Sequence, residues 1–229
     1  LALLFEKSSM RTRVSFEVAM TQLGGNTVYL SKDDVNLGVR EPIKDGSRVM
    51  ARYVDVVAAR TKKHSSVVEL ARWSDIPVIN ALSDLYHPCQ ALGDLQTITE
   101  AFGELDGLKV AWVGDSNNVA RSLAVICSKL GVDYSVASPA GYQFDSDFTA
   151  TVEEWAGASG AAFEVSDSLD RVLDGADVVY TDTWVSMGQE AEAEARRRAF
   201  EGYRVDEDLL KKAGPDARVM HCLPAYRGE

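Results

Sequence analysis

A twice-repeated alternation, short β-branched apolar runs followed by longer stretches of helical periodicity, constrains this chain more than any other feature. In the first half, residues 26–30, 54–59 and 77–79 read as strands. Phe16, Ala19, Met20 and Leu23 recur at helical spacing across residues 13–23, with Ser8, Ser9 and Thr12 at the start and Gly24-Gly25 at the end. Residues 47–53 and 65–73 supply further helices, and Pro88 suits the first turn of another, striped by Leu92, Leu95, Ile98 and Phe102. The second half repeats the pattern, with strands at 108–113, 132–137, 162–165, 178–181 and 217–222. Its helices carry Val119, Leu123, Ile126 and Leu130, and fall near 152–158 and 168–173, with residues 141–149 as loop. Such strands suit parallel sheets covered on both faces. The expected fold is α/β with two domains, residues 1–103 and 104–229. Each has a mainly parallel sheet flanked by helices, with an active-site cleft between them.

Charge narrows the partners. Lys plus Arg number 24 against 35 Asp plus Glu, a net charge of −11. That argues against nucleic acid and anionic membrane as partners, while leaving room for a locally positive pocket. No stretch approaches the roughly 20 apolar residues that span a bilayer, and the apolar opening at residues 1–5 is too short for a signal peptide. Cys89, Cys127 and Cys222 lack metal-like spacing, which points to free thiols in a reducing, cytoplasmic compartment. Neither a metal nor a cofactor is expected.

Five segments could carry chemistry. Phe5-Glu6-Lys7-Ser8-Ser9-Met10-Arg11-Thr12-Arg13 brings hydroxyls, cations and free backbone N–H groups to a helix start, a recipe for a phosphate site or an ordinary cap with solvated arginines. In His87-Pro88-Cys89-Gln90, an uncharged imidazole could polarise a carbonyl oxygen, with Gln90 one turn on. Gly114-Asp115-Ser116-Asn117-Asn118 follows a strand but lacks the G-x-G-x-x-G of dinucleotide sites. Thr181-Asp182-Thr183-Trp184-Val185-Ser186-Met187-Gly188 places a carboxylate where open sheets bind ligands, either for an ammonium group or as a cap. His221-Cys222-Leu223-Pro224 ends the last strand; the pair points to opposite faces, against a shared-proton thiol nucleophile. Glu192 with Arg196, and Glu194 with Arg198, read as a solvated helix face.

Taken in order, FEKSSMRTR, Ala59-Arg60, HPCQ, DSNN, DTWVSMG and HCLP resemble the aspartate/ornithine transcarbamylase family, and DTWVSMG with HCLP resembles its ornithine branch. The resemblance implies carbamoyl transfer from carbamoyl phosphate to the side-chain amine of L-ornithine, giving L-citrulline. It also implies a homotrimer or multiple of trimers, without metal or cofactor. It assigns Ser9, Met10, Arg11, Thr12, Arg60, His87 and Gln90 to carbamoyl phosphate, with Met10 where the family commonly has Thr. It assigns Asn118, Asp182, Ser186, Met187, Cys222 and Leu223 to ornithine, and Arg11, Arg60, His87, Asp182 and Cys222 to catalysis. The family's helix before FEK, its C-terminal helix and a further phosphate-binding Arg past HCLP have no counterpart in these residues, so truncation at both ends is expected. The alternatives are a sibling enzyme using putrescine, aspartate or N-acylated ornithine, and a catalytically silent ligand-binding subunit.

Overall fold

The computed structural model describes residues 1–35, 38–186 and 189–228. The chain divides into two compact units, Leu1–Cys89 and Gln90–Glu229. Among the described residues no helix is long and apolar enough to cross a membrane.

The first unit runs β1 (Ala2–Phe5), α1 (Met10–Gln22), β2 (Val28–Ser31), α2 (Lys32–Val35), α3 (Ile43–Met50), β3 (Val57–Arg60), α4 (His64–Trp73) and β4 (Val78–Leu82). Its sheet has the order β2-β1-β3-β4 and every pairing is parallel. The apolar opening of the chain, with no strand expected there, is thus an interior strand. Its four residues are all buried, and alternate side chains serve opposite faces. Ala2 and Leu4 join Val57, Ala59, Ile43, Val67 and Leu70 on one side, while Leu3 and Phe5 join Ala58 and Ala81 on the other. The helix at 13–23 is present, starting at Met10, but its apolar stripe is not a core face. α1 buries none of its residues and Leu23 is exposed. Only Phe16 leans on the core, because α1 returns the chain to the edge strand β2.

The second unit begins within α5 (Pro88–Phe102) and continues β5 (Lys109–Val113), α6 (Asn118–Leu130), β6 (Asp133–Ala137), α7 (Ser146–Ser159), β7 (Phe163–Ser166), α8 (Leu169–Leu173), β8 (Val178–Thr181), α9 (Ala193–Ala199), α10 (Glu207–Leu210) and β9 (Arg218–His221). Its order is β7-β6-β5-β8-β9, again wholly parallel. The expected stripe on α5 is corrected at Leu92, which is exposed, while Asp94 takes a buried position beside Ala91, Leu95 and Ile98. α7 starts earlier than its apolar spacing suggests because Asp145 caps it, accepting from the Phe148 N–H at 2.9 Å.

Both sheets share one topological property. Strand order reverses between β1 and β3 in the first, and between β5 and β8 in the second. Loops leaving the carboxyl ends of those strands diverge there, which is where open α/β sheets take ligands.

Candidate active site

In the first unit, the loop after β1 ends at Ser9, the N-cap of α1. Ser9 Oγ accepts from the Thr12 N–H at 3.3 Å and lies 3.0 Å from Thr12 Oγ1. Arg60, the last residue of β3, donates from Nη1 to Thr12 Oγ1 at 3.4 Å. Its guanidinium is buried, and Nε has no hydrogen-bond partner among the described residues. A buried cation with an unmet donor, beside the open end of a helix, favours an anionic ligand. Met10 and Arg11 occupy the first turn of α1, both exposed, and Arg11 makes no side-chain ion pair among the described residues. Glu6 holds the neighbouring loop by accepting from the Lys62 N–H at 2.7 Å.

His87 precedes α5. Burial, and secondarily the charge of Arg60, lower its pKa from 6.5 to about 4. The imidazole is therefore neutral at physiological pH and can donate to a carbonyl oxygen without adding a charge. A histidine depressed in the folded state is protonated more readily when unfolded, so it destabilises the fold as pH falls below 6.5 and saturates below about 4. His87→Gln is expected to remove about 2 kcal/mol of the destabilisation that appears between pH 7 and pH 5. Denaturant unfolding of both proteins at the two pH values measures it; equal pH dependence contradicts the neutral imidazole.

Gln90 lies in the first turn of α5 and donates from Nε2 to Asp94 Oδ1 at 2.9 Å. Asp94 also accepts from Tyr180 Oη at 3.0 Å.

The second cluster gathers at the β5/β8 reversal. Asp182 follows β8, and its two oxygens accept from Asn117 Nδ2 at 2.7 Å and from the Thr183 N–H at 2.8 Å. Asn117 Oδ1 meanwhile caps α6, accepting from the Val119 and Ala120 N–H groups. Asn118, the residue expected to bind ligand, opens α6 one position later. Cys222 Sγ–H donates to Asp182; burial and that carboxylate push its pKa far above the ordinary thiol range. His221 is held by the Leu223 N–H, which donates to its Nδ1 at 2.8 Å, and burial lowers its pKa. Leu223 has φ 58, the one non-glycine positive φ among the described residues. Asp182, His221 and Cys222 place potential ligand atoms within 4.8 Å of one another. Within this group the Cys222 thiol is hydrogen-bonded to Asp182. A cavity of about 420 Å³ opens beside it, lined in part by Asp182, Trp184, His221, Arg204 and Tyr226. The Ser186 N–H donates to Gln189 Oε1 at 3.0 Å. Met187 and Gly188 lie outside the described residues.

The solvated helix face expected at Glu192 and Arg196 is half wrong. Glu194 and Arg198 are exposed, but Arg196 is buried. It pairs with Asp115 at 2.8 Å, donates to the Trp184 carbonyl at 3.1 Å, and lies 5.0 Å from the Tyr142 ring. It thereby ties the loop after β5 to the loop after β8. Burial pushes the Asp115 carboxyl up, and Arg196 pulls it back.

Residues 1–100 match the carbamoyl-P binding domain, and residues 106–229 the Asp/Orn binding domain, described for aspartate/ornithine carbamoyltransferase. The chain belongs to the aspartate/ornithine carbamoyltransferase family. It is 52% identical over 229 residues to the ornithine carbamoyltransferase of Pyrococcus abyssi, covering all of this chain and 72% of that one. It is 54% identical over 228 residues to that of Acidothermus cellulolyticus, of which it covers 73%. The solved ornithine carbamoyltransferase from Pyrococcus furiosus superimposes with a TM-score of 0.96 at 51% identity, covering 100% of this chain and 73% of that one. An anabolic ornithine carbamoyltransferase from Campylobacter jejuni gives 0.94 at 44%, covering 99% and 75%.

For this carbamoyltransferase chain, the first unit assembles Ser9, Thr12, Arg60 and His87, and the second assembles Asp182 and Cys222. Sequence reasoning missed Asn117, Arg196, Asp94 and Tyr180. Only Asn117 carried a local signal, as a strong N-cap residue between strand and helix.

Proposed function

We infer that this chain transfers the carbamoyl group of carbamoyl phosphate to the side-chain amine of L-ornithine, releasing L-citrulline and phosphate. The observation that carries this reading is the buried Arg60, whose unmet donor sits with Ser9, Thr12 and a neutral His87 in the part matching a carbamoyl-P binding domain. The high identity to ornithine carbamoyltransferases over the whole chain supports the acceptor.

Ser9, Thr12, Arg11 and the first N–H groups of α1 take the phosphate; Met10 serves through its backbone alone. Arg60 spans phosphate and carbonyl oxygens, and His87 donates to the carbonyl without competing for the phosphate charge. Together they stabilise the oxyanion that forms when the amine attacks the carbonyl carbon. Gln90 holds the carbamoyl amino group. Phosphate then leaves, its growing charge met by Arg11 and Arg60. The ornithine side-chain amine is mostly protonated at neutral pH and must lose that proton to attack. Asp182, fixed by Asn117 and Thr183, orients an ammonium group, and Cys222 and Leu223 close the acceptor end. Ser186 and Met187 complete the acceptor set, with Asn118 at the start of α6.

The assembly the family resemblance supports is a homotrimer or a multiple of it. Three cysteines without a disulfide suit a reducing compartment such as the cytoplasm.

Citrulline formation from carbamoyl phosphate and L-ornithine, with putrescine, aspartate and acetylornithine in parallel, tests the reaction. Turnover with ornithine alone is expected, and turnover confined to another acceptor overturns the assignment. Asp182→Asn is expected to raise the ornithine KM at least tenfold, roughly 1.4 kcal/mol, while leaving carbamoyl phosphate affinity within about twofold. An unchanged ornithine KM removes Asp182 from the acceptor site.

A further inference from the structure

Asp94 is a buried carboxylate that the reaction itself does not use, only 4% exposed in the middle of an apolar helix face. A glutamine and an aspartate one turn apart on an exposed helix are a minor stabilising pair. Here Asp94 is buried, Gln90 is half-buried, and the pair has a third member: Tyr180, fully buried on β8, donates to the other carboxylate oxygen at 3.0 Å. An ionised carboxylate accepts and never donates. The Gln90 amide therefore has one orientation, with Nε2 turned to Asp94 at 2.9 Å and Oε1 left as its outward group. Among the described residues no donor is spent on Oε1.

We propose that Asp94, anchored by Tyr180, is a positioning residue that fixes the Gln90 amide oxygen toward the carbamoyl amino group, selecting carbamoyl phosphate over acyl phosphates with a methyl group there. This rests on the carbamoyl phosphate reading of the site given above. The amino group of a carbamoyl ligand offers N–H donors to that oxygen, whereas a methyl group leaves it unpaired. A site built around such an acceptor rejects the analogue that lacks the donor far better than an apolar pocket does.

The same arrangement ties selectivity to pH. The titratable groups facing Asp94 are Cys127 on α6, Tyr134 on β6, Tyr180 on β8 and Cys222 just past β9. Burial raises the pKa of each, so all four remain protonated and uncharged through neutral pH. Burial outweighs the two hydrogen bonds at Asp94 and raises its pKa to about 6. Once protonated, Asp94 can donate to Gln90 Oε1, and the amide loses its single orientation.

Phosphonoacetamide and acetonylphosphonate form a matched pair, sharing the phosphonate and carbonyl and differing by an amino against a methyl group. Their dissociation constants are measured by calorimetry on the full chain at pH 8 and pH 5.5; the shared phosphonate titration cancels in the ratio. The unaltered protein is expected to prefer the amide at least tenfold at pH 8, and at least threefold less strongly at pH 5.5. Asp94→Asn is expected to show the weakened preference already at pH 8, and Gln90→Ala the same, with no further loss in the double variant. Should Asp94→Asn fail to fold, the pH arm on the unaltered protein decides alone. An amide preference that acid and Asp94→Asn both leave intact overturns the inference and spares the carbamoyl phosphate reading. Failure of both ligands to bind at pH 8 overturns that reading, and the inference with it.

Discussion

Replacing Arg60 by methionine is expected to cut kcat/KM by about a thousandfold or more, roughly 4 kcal/mol of transition-state stabilisation, while making the ligand-free protein more stable. The two effects share one cause. Arg60 is 5% exposed at the end of β3 and has no carboxylate partner among the described residues. Its contact with Thr12 is a long one at 3.4 Å, and Nε is unmet. Burial lowers its pKa, the mark of a charge held where it is poorly solvated. Methionine keeps the volume and removes the charge, for a gain on the order of 1–3 kcal/mol. A site that stores such strain spends it only when an anion arrives. Initial rates with saturating ornithine and denaturant unfolding without ligand measure both quantities. Loss of activity accompanied by loss of stability contradicts this account and makes Arg60 a structural residue.

Arg196 is expected to behave in the opposite way. Arg196→Met strands the Asp115 carboxylate, whose side chain is 13% exposed, and costs about 3 kcal/mol of stability. It also releases the Trp184 carbonyl, so the loops after β5 and β8 lose their common tie. Because Asn117 on one loop grips Asp182 on the other, the ornithine KM should rise about tenfold or more, with carbamoyl phosphate affinity little changed. Arg196→Lys should recover part of the stability but little of the KM. An ammonium neutralises Asp115, yet lacks the planar fork that reaches a carboxylate and a carbonyl together. Adding Asp115→Asn to Arg196→Met should likewise recover stability and leave the KM high. Unfolding curves and acceptor-dependent rates separate the two; a KM that recovers along with stability means that Arg196 acts through folding alone.

The strands and helices that the sequence makes legible are those whose neighbours along the chain announce them. β5, with Val110 to Val113 wholly buried, and α6, with Asn117 ahead of it and Gly131 in the left-handed conformation behind, carry their signals locally. β1 escaped because Ala2 to Phe5 is a short run with no alternation; only the two strands flanking it reveal its role. α1 misled through periodicity, since Phe16, Ala19, Met20 and Leu23 are spaced for a core face that the sheet edge does not supply. In the candidate site, residues that the motifs single out do come together, Ser9 with Thr12 and Asp182 with Cys222. Asn117 was one position from the residue singled out. Arg196 was read by its neighbour four residues back, because the partner that buries it, Asp115, lies 81 residues away in sequence. Asp94 and Tyr180, 86 residues apart, were hidden for the same reason.

Each unit reverses its strand order once and gathers its own cluster at that reversal; on the proposed reading, the groups that meet the phosphate lie on the first sheet and those that hold the acceptor on the second. An ancestral protein of this plan could change what it carbamoylates by altering the loops after β5 and β8, without disturbing the residues that activate the phosphate. Evolution of the acceptor is then uncoupled from evolution of the leaving group. A family can diversify over many nucleophiles while its donor remains the same.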